Sequence, residues 1–274
     1  MKYVGESAFK GCNKITSLSG DHVEYFTSYT GNQINNSTVS ISFPNLKHLG
    51  DEAFRNCSKL SNIYIPNVED SYFIKSSFKT KASGCFFHSC SALVSIDLPK
   101  FNPLTTDYIF YNCTSLTYVN LPNVTSIGMS AFNGCKKLTD VNIPNVTDIG
   151  SYAFGNCTSL TNINLPNVTS IDSNAFDYCT ALTDINIPNV TNIGMYAFDY
   201  CKGLTNINLP NVTSIGNTAF NGCTNLADIY LPNAENTYTG APWGAVNATI
   251  HYECEFNEDG IPLELLEDEE ENNG

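Results

Sequence analysis

The sequence predicts a repeat solenoid of the α/β class, built from 22-residue units that carry a parallel β-sheet along one side. Three observations support this class: a phenylalanine column, a cysteine column and a strand-like segment in every regular unit. The phenylalanines stand 22 residues apart, at Phe132, Phe154, Phe176, Phe198 and Phe220. The cysteines keep the same spacing, at Cys113, Cys135, Cys157, Cys179, Cys201 and Cys223. Such a period is typical of solenoids, in which one unit cannot bury its apolar face but a stack can.

Each regular unit begins with a short predicted strand and continues into a second apolar cluster. In the stretch "LTNINLPNVTSIDSNAFDYC", Ile163 and Leu165 alternate with asparagines, as a half-buried strand requires. Pro166 then ends the strand because proline cannot donate to a ladder. The apolar cluster from Ala175 to Cys179 has a spacing that suits one helical or 3₁₀ turn.

One column of the repeat predicts a turn with positive φ. It holds glycine in four units and aspartate in a fifth: Gly128, Gly150, Asp172, Gly194 and Gly216. Glycine adopts left-handed backbone freely, and aspartate tolerates it better than most residues.

The repeats divide the chain into four predicted segments. The regular units occupy residues 116–232, a C-terminal cap follows at 233–252, and an acidic tail closes the chain at 253–274. Residues 1–115 form degraded units, recognisable from "YVGESAFKGC" and "HLGDEAFRNC". Nine cysteine-marked units would give a stack about 45 Å long.

Two inserted loops are predicted near the N-terminus because the cysteine spacing there exceeds one period. Cys12 and Cys57 are 45 residues apart, and Cys57 and Cys90 are 33 apart. The predicted loops lie at about 17–40 and 69–84, and insertions in solenoids usually protrude. Distinctive side chains favour contact sites, so we expect partner contacts from the aromatic residues of these loops: Tyr25, Phe26, Tyr29, Tyr72 and Phe73.

Composition and charge exclude several functional classes. The formal net charge is −14, but residues 253–274 hold ten acidic side chains and no basic one, and the rest of the chain holds 17 acidic against 13 basic residues. Without a basic patch, nucleic-acid binding is not expected. No apolar run approaches the ~18 residues of a membrane-spanning helix. The opening "MKYVGESAFKGC" also lacks the apolar core of a signal peptide.

The repeated pattern L-x-x-I-x-L-P-N-V-T-x-I-G-x-x-A-F-x-x-C resembles the BspA-type leucine-rich repeat, also called the Treponema pallidum type. The resemblance covers about residues 3–232 and is most specific over 116–232. It implies a curved, right-handed solenoid with its parallel sheet on the concave face. Family members are mostly cell-surface or secreted proteins linked to adhesion and to binding of host proteins. The closing "APWGAVNATIHYE" resembles the cap of many such proteins, including some encoded by phages of gut bacteria.

Two columns of outward-facing strand residues are the candidate ligand-binding surface on the concave face. The first column reads Tyr118, Asp140, Asn162, Asp184, Asn206 and Asp228. The second reads Asn120, Asn142, Asn164, Asn186, Asn208 and Tyr230, with Tyr64 and Asp97 as earlier members. Alternation of aspartate with asparagine keeps like charges about 10 Å apart instead of about 5 Å.

Three interpretations of these columns stay open. The polar ladder could simply keep a flat sheet soluble, with the amides hydrogen-bonded along the stack. It could instead form a polar groove for a sugar or a cationic partner, with Tyr64, Tyr118 and Tyr230 as stacking anchors. A calcium site is the third option. However, Asp140 and Asp184 are too widely spaced for one ion, whose oxygen ligands lie at ~2.4 Å.

The cysteine column predicts buried free thiols. In-register cysteines would bring their Cα atoms near a disulfide separation, but parallel side chains entering the core would not meet. The cluster "CFFHSC", Cys85 to Cys90 with His88, falls short of the four ligands of a structural zinc site. The sequence therefore predicts no metal and no cofactor.

No catalytic constellation is recognisable, so we expect no enzymatic activity. The histidines, His22, His48, His88 and His251, accompany no nucleophile signature. The asparagines of the five "PNVT" segments are predicted to satisfy backbone groups of turns: Asn123, Asn145, Asn167, Asn189 and Asn211. Trp243 is expected to close the apolar end of the stack, although it could also serve as a ligand platform.

The sequence thus predicts a non-enzymatic binding or adhesion module. We expect it to recognise a protein or glycan partner through the concave face and the two N-terminal loops. The alternative is a phage or virion component, structural or host-recognising, that assembles through its C-terminal tail. The tail itself is either a solvated acidic segment or a short motif, "IPLELL", that docks to another protein or subunit.

Overall fold

The computed structural model describes residues 3–5, 15–26, 39–50, 52–71, 84–103 and 106–266. These residues coil into a solenoid with two sides of parallel strands around one continuous hydrophobic core. The first side consists of three-residue strands: β2 (Ser17–Ser19), β4 (Ser40–Ser42), β6 (Asn62–Tyr64), β8 (Ser95–Asp97), β9 (Tyr118–Asn120), β11 (Asp140–Asn142), β13 (Asn162–Asn164), β15 (Asp184–Asn186), β17 (Asn206–Asn208), β19 (Asp228–Tyr230) and β20 (Thr249–His251).

The second side consists of two-residue strands, which follow the proline-containing turn of each unit. They are β1 (Tyr3–Val4), β3 (Tyr25–Phe26), β5 (His48–Leu49), β7 (Asp70–Ser71), β10 (Ser126–Ile127), β12 (Asp148–Ile149), β14 (Ser170–Ile171), β16 (Asn192–Ile193) and β18 (Ser214–Ile215). A single 3₁₀ turn spans Glu235–Thr237.

Neighbouring turns pair in parallel, and the register in the regular part equals the sequence repeat. On the first side the paired groups are β2-β4-β6, β8-β9-β11, β13-β15 and β17-β19-β20. On the second side they are β1-β3-β5-β7 and β10-β12-β14-β16-β18. Asn162 lies opposite Asp184 and Ile163 opposite Ile185, each pair 22 residues apart. The predicted solenoid with parallel strands and 22-residue repeats is therefore confirmed.

The phenylalanine column forms the centre of the core. The rings of Phe132, Phe154 and Phe176 are fully buried and stack nearly parallel, with centroids 5.0 and 5.2 Å apart. Each unit thus presents one flat aromatic surface to the next, which explains why a single unit could not be stable alone.

The structure contains less helix than the α/β class predicts. Within the described residues, helical geometry is limited to the 3₁₀ turn and to one turn at residues 263–266. At the predicted helical turn, Asn174 and Tyr178 have positive φ values of 60° and 56°. Left-handed residues at this spacing break a helix, so the segment is a series of tight turns.

The glycine column was predicted to have positive φ, and this prediction is wrong. Its glycines are not among the residues with positive φ. A Cβ atom at Gly194 would lie 2.5 Å from the backbone nitrogen of Ser173, and one at Gly216 would lie 2.5 Å from that of Met195. Glycine is needed because the backbones of adjacent turns approach closely, as in other close backbone contacts.

The N-terminal inserts also need correction. Tyr3 pairs with Tyr25, and Tyr25 with His48, so residues 17–26 belong to a regular turn and not to a protruding loop. The 45 residues between Cys12 and Cys57 therefore span two turns. In the second predicted loop, Asp70 still pairs with His48 in the repeat register. Residues 27–38 and 72–83 lie outside the described residues.

The predicted cap is a further turn of the solenoid. Its strand β20 pairs with β19, with Ile250 opposite Ile229. Trp243 is 1% exposed, its indole Nε1 donates to the Thr239 carbonyl over 2.9 Å, and its ring packs edge-on against Tyr238. Trp243 thus closes the apolar end of the stack, as expected for a capping residue.

Candidate functional site

The candidate site lies on the outward side of the three-residue strands, which we call the ladder face. Strand register aligns its residues into the two predicted columns, with Asp97 beside Asn120 and Tyr64 beside Ser42. Most predicted residues are exposed: Tyr64, Asp97, Tyr118, Asp140, Asn142, Asn162, Asn164, Asp184, Asn186 and Asn206. Asn120, Asn208 and Asp228 are half-buried, and Tyr230 is buried.

Side-chain amides connect neighbouring turns on this face. The Asn120 amide donates to Asp97 Oδ1 over 2.7 Å, and the Asn142 amide donates to Asn120 Oδ1 over 2.7 Å. Further along, the Asn186 amide donates to Asn164 Oδ1 over 2.8 Å. Each bonded amide is fixed in orientation, so the face presents a defined pattern of donors and acceptors.

Two tyrosines stand out from the amide ladder. Tyr64 is 58% exposed and Tyr118 is 36% exposed. Desolvation and the carboxylates of Asp97 and Asp140 raise the pKa of Tyr118. Its phenol therefore remains a neutral hydroxyl donor at physiological pH. We call the group Tyr64, Asp97, Tyr118, Asn120, Asp140 and Asn142 the aromatic end of the ladder face.

Tyr230, the third predicted stacking anchor, is not available on the surface. It is 5% exposed, and its ring stacks on His251 of the next turn with centroids 4.4 Å apart. His251 Nε2 lies 2.9 Å from Asp228 Oδ1 and its Nδ1 lies 3.7 Å from Glu264. The placement of Tyr230 as an exposed anchor is therefore wrong, because the last turn and the C-terminal segment cover it.

The C-terminal segment folds back over the ladder face for at least part of its length. Residues 253–266 include a hairpin in which Phe256 pairs antiparallel with Pro262. The Asn257 side chain accepts hydrogen bonds from the backbone N–H groups of Asp259 and Ile261 and so fixes the turn. Gly260 at its tip contacts Pro188 and Pro210. Residues 253–266 are thus packed on the solenoid, whereas residues 267–274 lie outside the described part.

The predicted contacts of the N-terminal loops are only partly placed. Phe26 is fully buried in the core, with its ring 4.9 Å from that of Phe43, so it is not a contact residue. Tyr25 is half-buried and stacks between Tyr3 and His48. Tyr29, Tyr72 and Phe73 lie outside the described residues.

Several ladder-face residues were missed because the early units look degraded. The register adds the outward residues Ser17, Ser19, Ser40, Ser42, Asn62, Ser95, Thr249 and His251. The signal that could have found most of them is the isoleucine-centred triplet at a spacing of 22 or 23 residues, visible in Ile41 and Ile63. The ladder face therefore begins at the first described turns.

The cysteine column consists of buried free thiols, as predicted. Each thiol donates to a phenylalanine carbonyl of the preceding turn, for example Cys135 to Phe110 and Cys179 to Phe154, both over 3.1 Å. Burial raises the pKa of these thiols, to about 12 for Cys223. They therefore remain protonated and act as small core residues.

The cluster around His88 is part of the same packing. Its ring stacks on Tyr111, and Nδ1 lies 3.0 Å from Ser89 Oγ. Burial and the nearby Arg55 lower the pKa of His88. Cys85 and Cys90 are buried. Within the described ranges, no three histidine, cysteine, aspartate or glutamate side chains form a group suited to a metal ion.

The "PNVT" asparagines bond to backbone groups, as predicted. The Asn167 amide donates to the Pro144 carbonyl over 2.8 Å, and the same bond recurs in four other turns at Asn123, Asn145, Asn189 and Asn211. These side chains hold consecutive turns together. In the part of the chain that the structure describes, no helix has the length and apolarity needed to cross a bilayer.

Comparison with known families decides the assignment of the chain. The model of the BspA type leucine rich repeat region matches six copies, over residues 1–83, 35–154, 71–183 and 147–241. The chain belongs to the BspA-type leucine-rich repeat family. Its 22-residue turns, inward leucines and isoleucines, and closely approaching glycines are therefore those of a BspA-type solenoid.

Solved structures of similar repeat proteins include two bacterial examples. A leucine rich cell surface protein of Faecalibacterium prausnitzii is 21% identical, with 93% of this chain and 84% of that chain covered and a TM-score of 0.46. The Treponema pallidum leucine rich repeat protein is 23% identical, with coverages of 74% and 72% and a TM-score of 0.41. No curated protein matches the chain.

Proposed function

We propose that this BspA-type repeat protein is a non-enzymatic binding module that attaches to a protein or glycan partner in adhesion. The partner binds the ladder face, chiefly its aromatic end. The observation that carries the proposal is the exposure of Tyr64 and Tyr118 on a face otherwise lined by amides and carboxylates. A buried or purely polar ladder would need no aromatic ring in solvent, whereas interfaces are enriched in tyrosine.

The surroundings of the two rings suit recognition. The bonded chain of Asp97, Asn120 and Asn142 holds its amides in place before a partner arrives, which lowers the entropy lost on binding. Tyr118 adds a neutral hydroxyl donor and an apolar ring face. Sugars and extended peptides both combine ring or side-chain stacking with hydrogen bonds to amides and carboxylates.

Binding of the whole chain to an array of glycans and matrix proteins tests this function. We compare the parent with Tyr64→Ser, Tyr118→Ser and the matched control Tyr152→Ser, an exposed tyrosine in the turn after β12. We expect Tyr64→Ser and Tyr118→Ser each to weaken binding about tenfold, and the control to bind like the parent. Lack of binding by the parent, or equal binding by all variants, would contradict the proposal.

A further inference from the structure

We propose a second binding site, for a lysine or arginine side chain of a peptide partner, in a cleft between the ladder face and the C-terminal hairpin. The cleft has a volume of about 410 Å³. Its lining includes Asp184, Asn186, Pro188, Asn208, Asp259 and Ile261, and we call it the hairpin cleft. The site lies beyond the aromatic end of the ladder and does not depend on the function proposed above.

The hairpin cleft is built by specific packing. Gly260 is buried, and a Cβ atom there would lie 3.2 Å from Pro210 Cγ and 3.4 Å from Pro188 Cβ. The hairpin therefore contacts the solenoid at its tip, and it is tied at its base by the Cys254 N–H, which donates to the Leu231 carbonyl over 2.9 Å. Contacts at both ends leave a gap between them. A volume of this size is in the range of ligand pockets.

The charge of the hairpin cleft is negative and has no counterion nearby. Asp184 and Asp259 line it from the ladder and the hairpin respectively. None of its lining residues is a lysine or arginine, and residues 253–274 contain no basic side chain. Like charges on opposing walls attract a cation that can lie between them. The complementary partner is therefore positively charged.

The remaining wall suits a long basic side chain better than a bare ion. Pro188 and the partly exposed Ile261 offer apolar surface for a methylene stem. Asn208 Oδ1 is buried without a hydrogen-bond donor, and rotation of its amide would turn that oxygen toward a bound ammonium or guanidinium group. A metal ion is less suited, because the lining supplies two carboxylates and not three or more charged ligands.

The test uses the full chain and three capped tripeptides: Gly-Lys-Gly, Gly-Arg-Gly and Gly-Gln-Gly. Titration followed by backbone amide NMR shifts reports both affinity and place. The proposal requires saturable shifts near Asn208 and Gly260 with the two basic peptides, and none with the glutamine peptide. Asp184→Asn and Asp259→Asn should each raise Kd about five- to tenfold, since each removes one charge-assisted partner.

Asp140→Asn is the matched control because Asp140 occupies the same ladder column two turns earlier, outside the hairpin cleft. A change in Kd of less than about twofold in this variant is expected. Equal weakening by Asp140→Asn would show general attraction to an acidic protein and overturn the proposal. So would a lack of saturable shifts, or binding of Ca²⁺ alone that Asp184→Asn abolishes. Unchanged peptide binding by Tyr64→Ser and Tyr118→Ser would separate this site from the aromatic end.

Discussion

The thiol of Cys157 donates a hydrogen bond to the carbonyl oxygen of Phe132, one turn earlier, with Sγ and O 3.2 Å apart. The same carbonyl accepts the backbone N–H of Cys135. One atom of each turn thus receives both a bond from its own turn and a bond from the next. The cysteine column therefore contributes to the stacking of turns and not only to core volume.

Replacement of this thiol should destabilise the solenoid moderately. We expect Cys157→Ala to lower the free energy of unfolding by about 1–2 kcal/mol, because a buried sulfur and one bond to a carbonyl are lost. Urea unfolding followed by circular dichroism measures the change. Cys254→Ala is the control, since Cys254 is only half-buried and its removal should cost less than about 0.5 kcal/mol. Equal costs for the two variants would refute a stacking role of the column.

The glycine column should tolerate no side chain, although its backbone is not left-handed. We expect Gly194→Ala to lower the free energy of unfolding by about 3 kcal/mol, because its Cβ would lie 2.5 Å from the backbone of Ser173. Gly5→Ala is the matched control, since a Cβ there meets nothing within 4 Å. Chemical denaturation of both variants checks the difference. A mild effect at Gly194 would mean that adjacent turns can move apart.

Asp177 should make stability depend on pH in an acidic window. Burial and then the nearby Asp199 raise the pKa of Asp177 from 3.8 to about 6, and its Oδ1 is buried without a partner. Between these two values the folded state binds more protons than the unfolded state, so this contribution to stability is full below about pH 3.8 and is lost as pH rises through about 6.

Asp177→Asn removes that loss. We expect the variant to be more stable than the parent at pH 7 and to show a smaller decrease in stability between pH 4 and 6. Thermal unfolding over this pH range measures the difference. Asp172→Asn, a change at an exposed carboxylate of the same turn, should follow the parent curve. A parent curve with the same slope as the Asp177→Asn curve would show that Asp177 does not titrate in this window.

How much of this structure was predictable differs between residues. The register of Ile163 and Asn164, the buried cysteines and the bond from Asn167 to Pro144 follow from a repeat that is written in the sequence. In each case the partner lies one period away. Periodicity alone therefore identifies both the partner and the face on which the residue lies.

Features that depend on non-periodic contacts were not predictable. Tyr230 occupies a column of exposed residues, yet His251 and the hairpin cover it, and no local pattern indicates that residues 253–266 return to the ladder face. Gly194 was identified as special for the wrong reason, because sequence does not distinguish positive φ from close backbone approach. The hairpin cleft arises from such a return contact, so it could not be found before the structure.

Trp243 should stabilise the C-terminal end of the solenoid locally. Its buried ring packs on Tyr238, and its carbonyl accepts the Phe220 N–H. In a repeat array each turn contacts only its neighbours, so loss of a cap first affects the terminal turns. We expect Trp243→Ala to speed hydrogen exchange of amides in β19 and β20 by at least about tenfold while β9 and β11 keep their protection. Tyr152→Ala, in an exposed position of a central turn, is the control. Uniform loss of protection along the whole chain would show instead that the solenoid unfolds as one cooperative unit that the cap holds together.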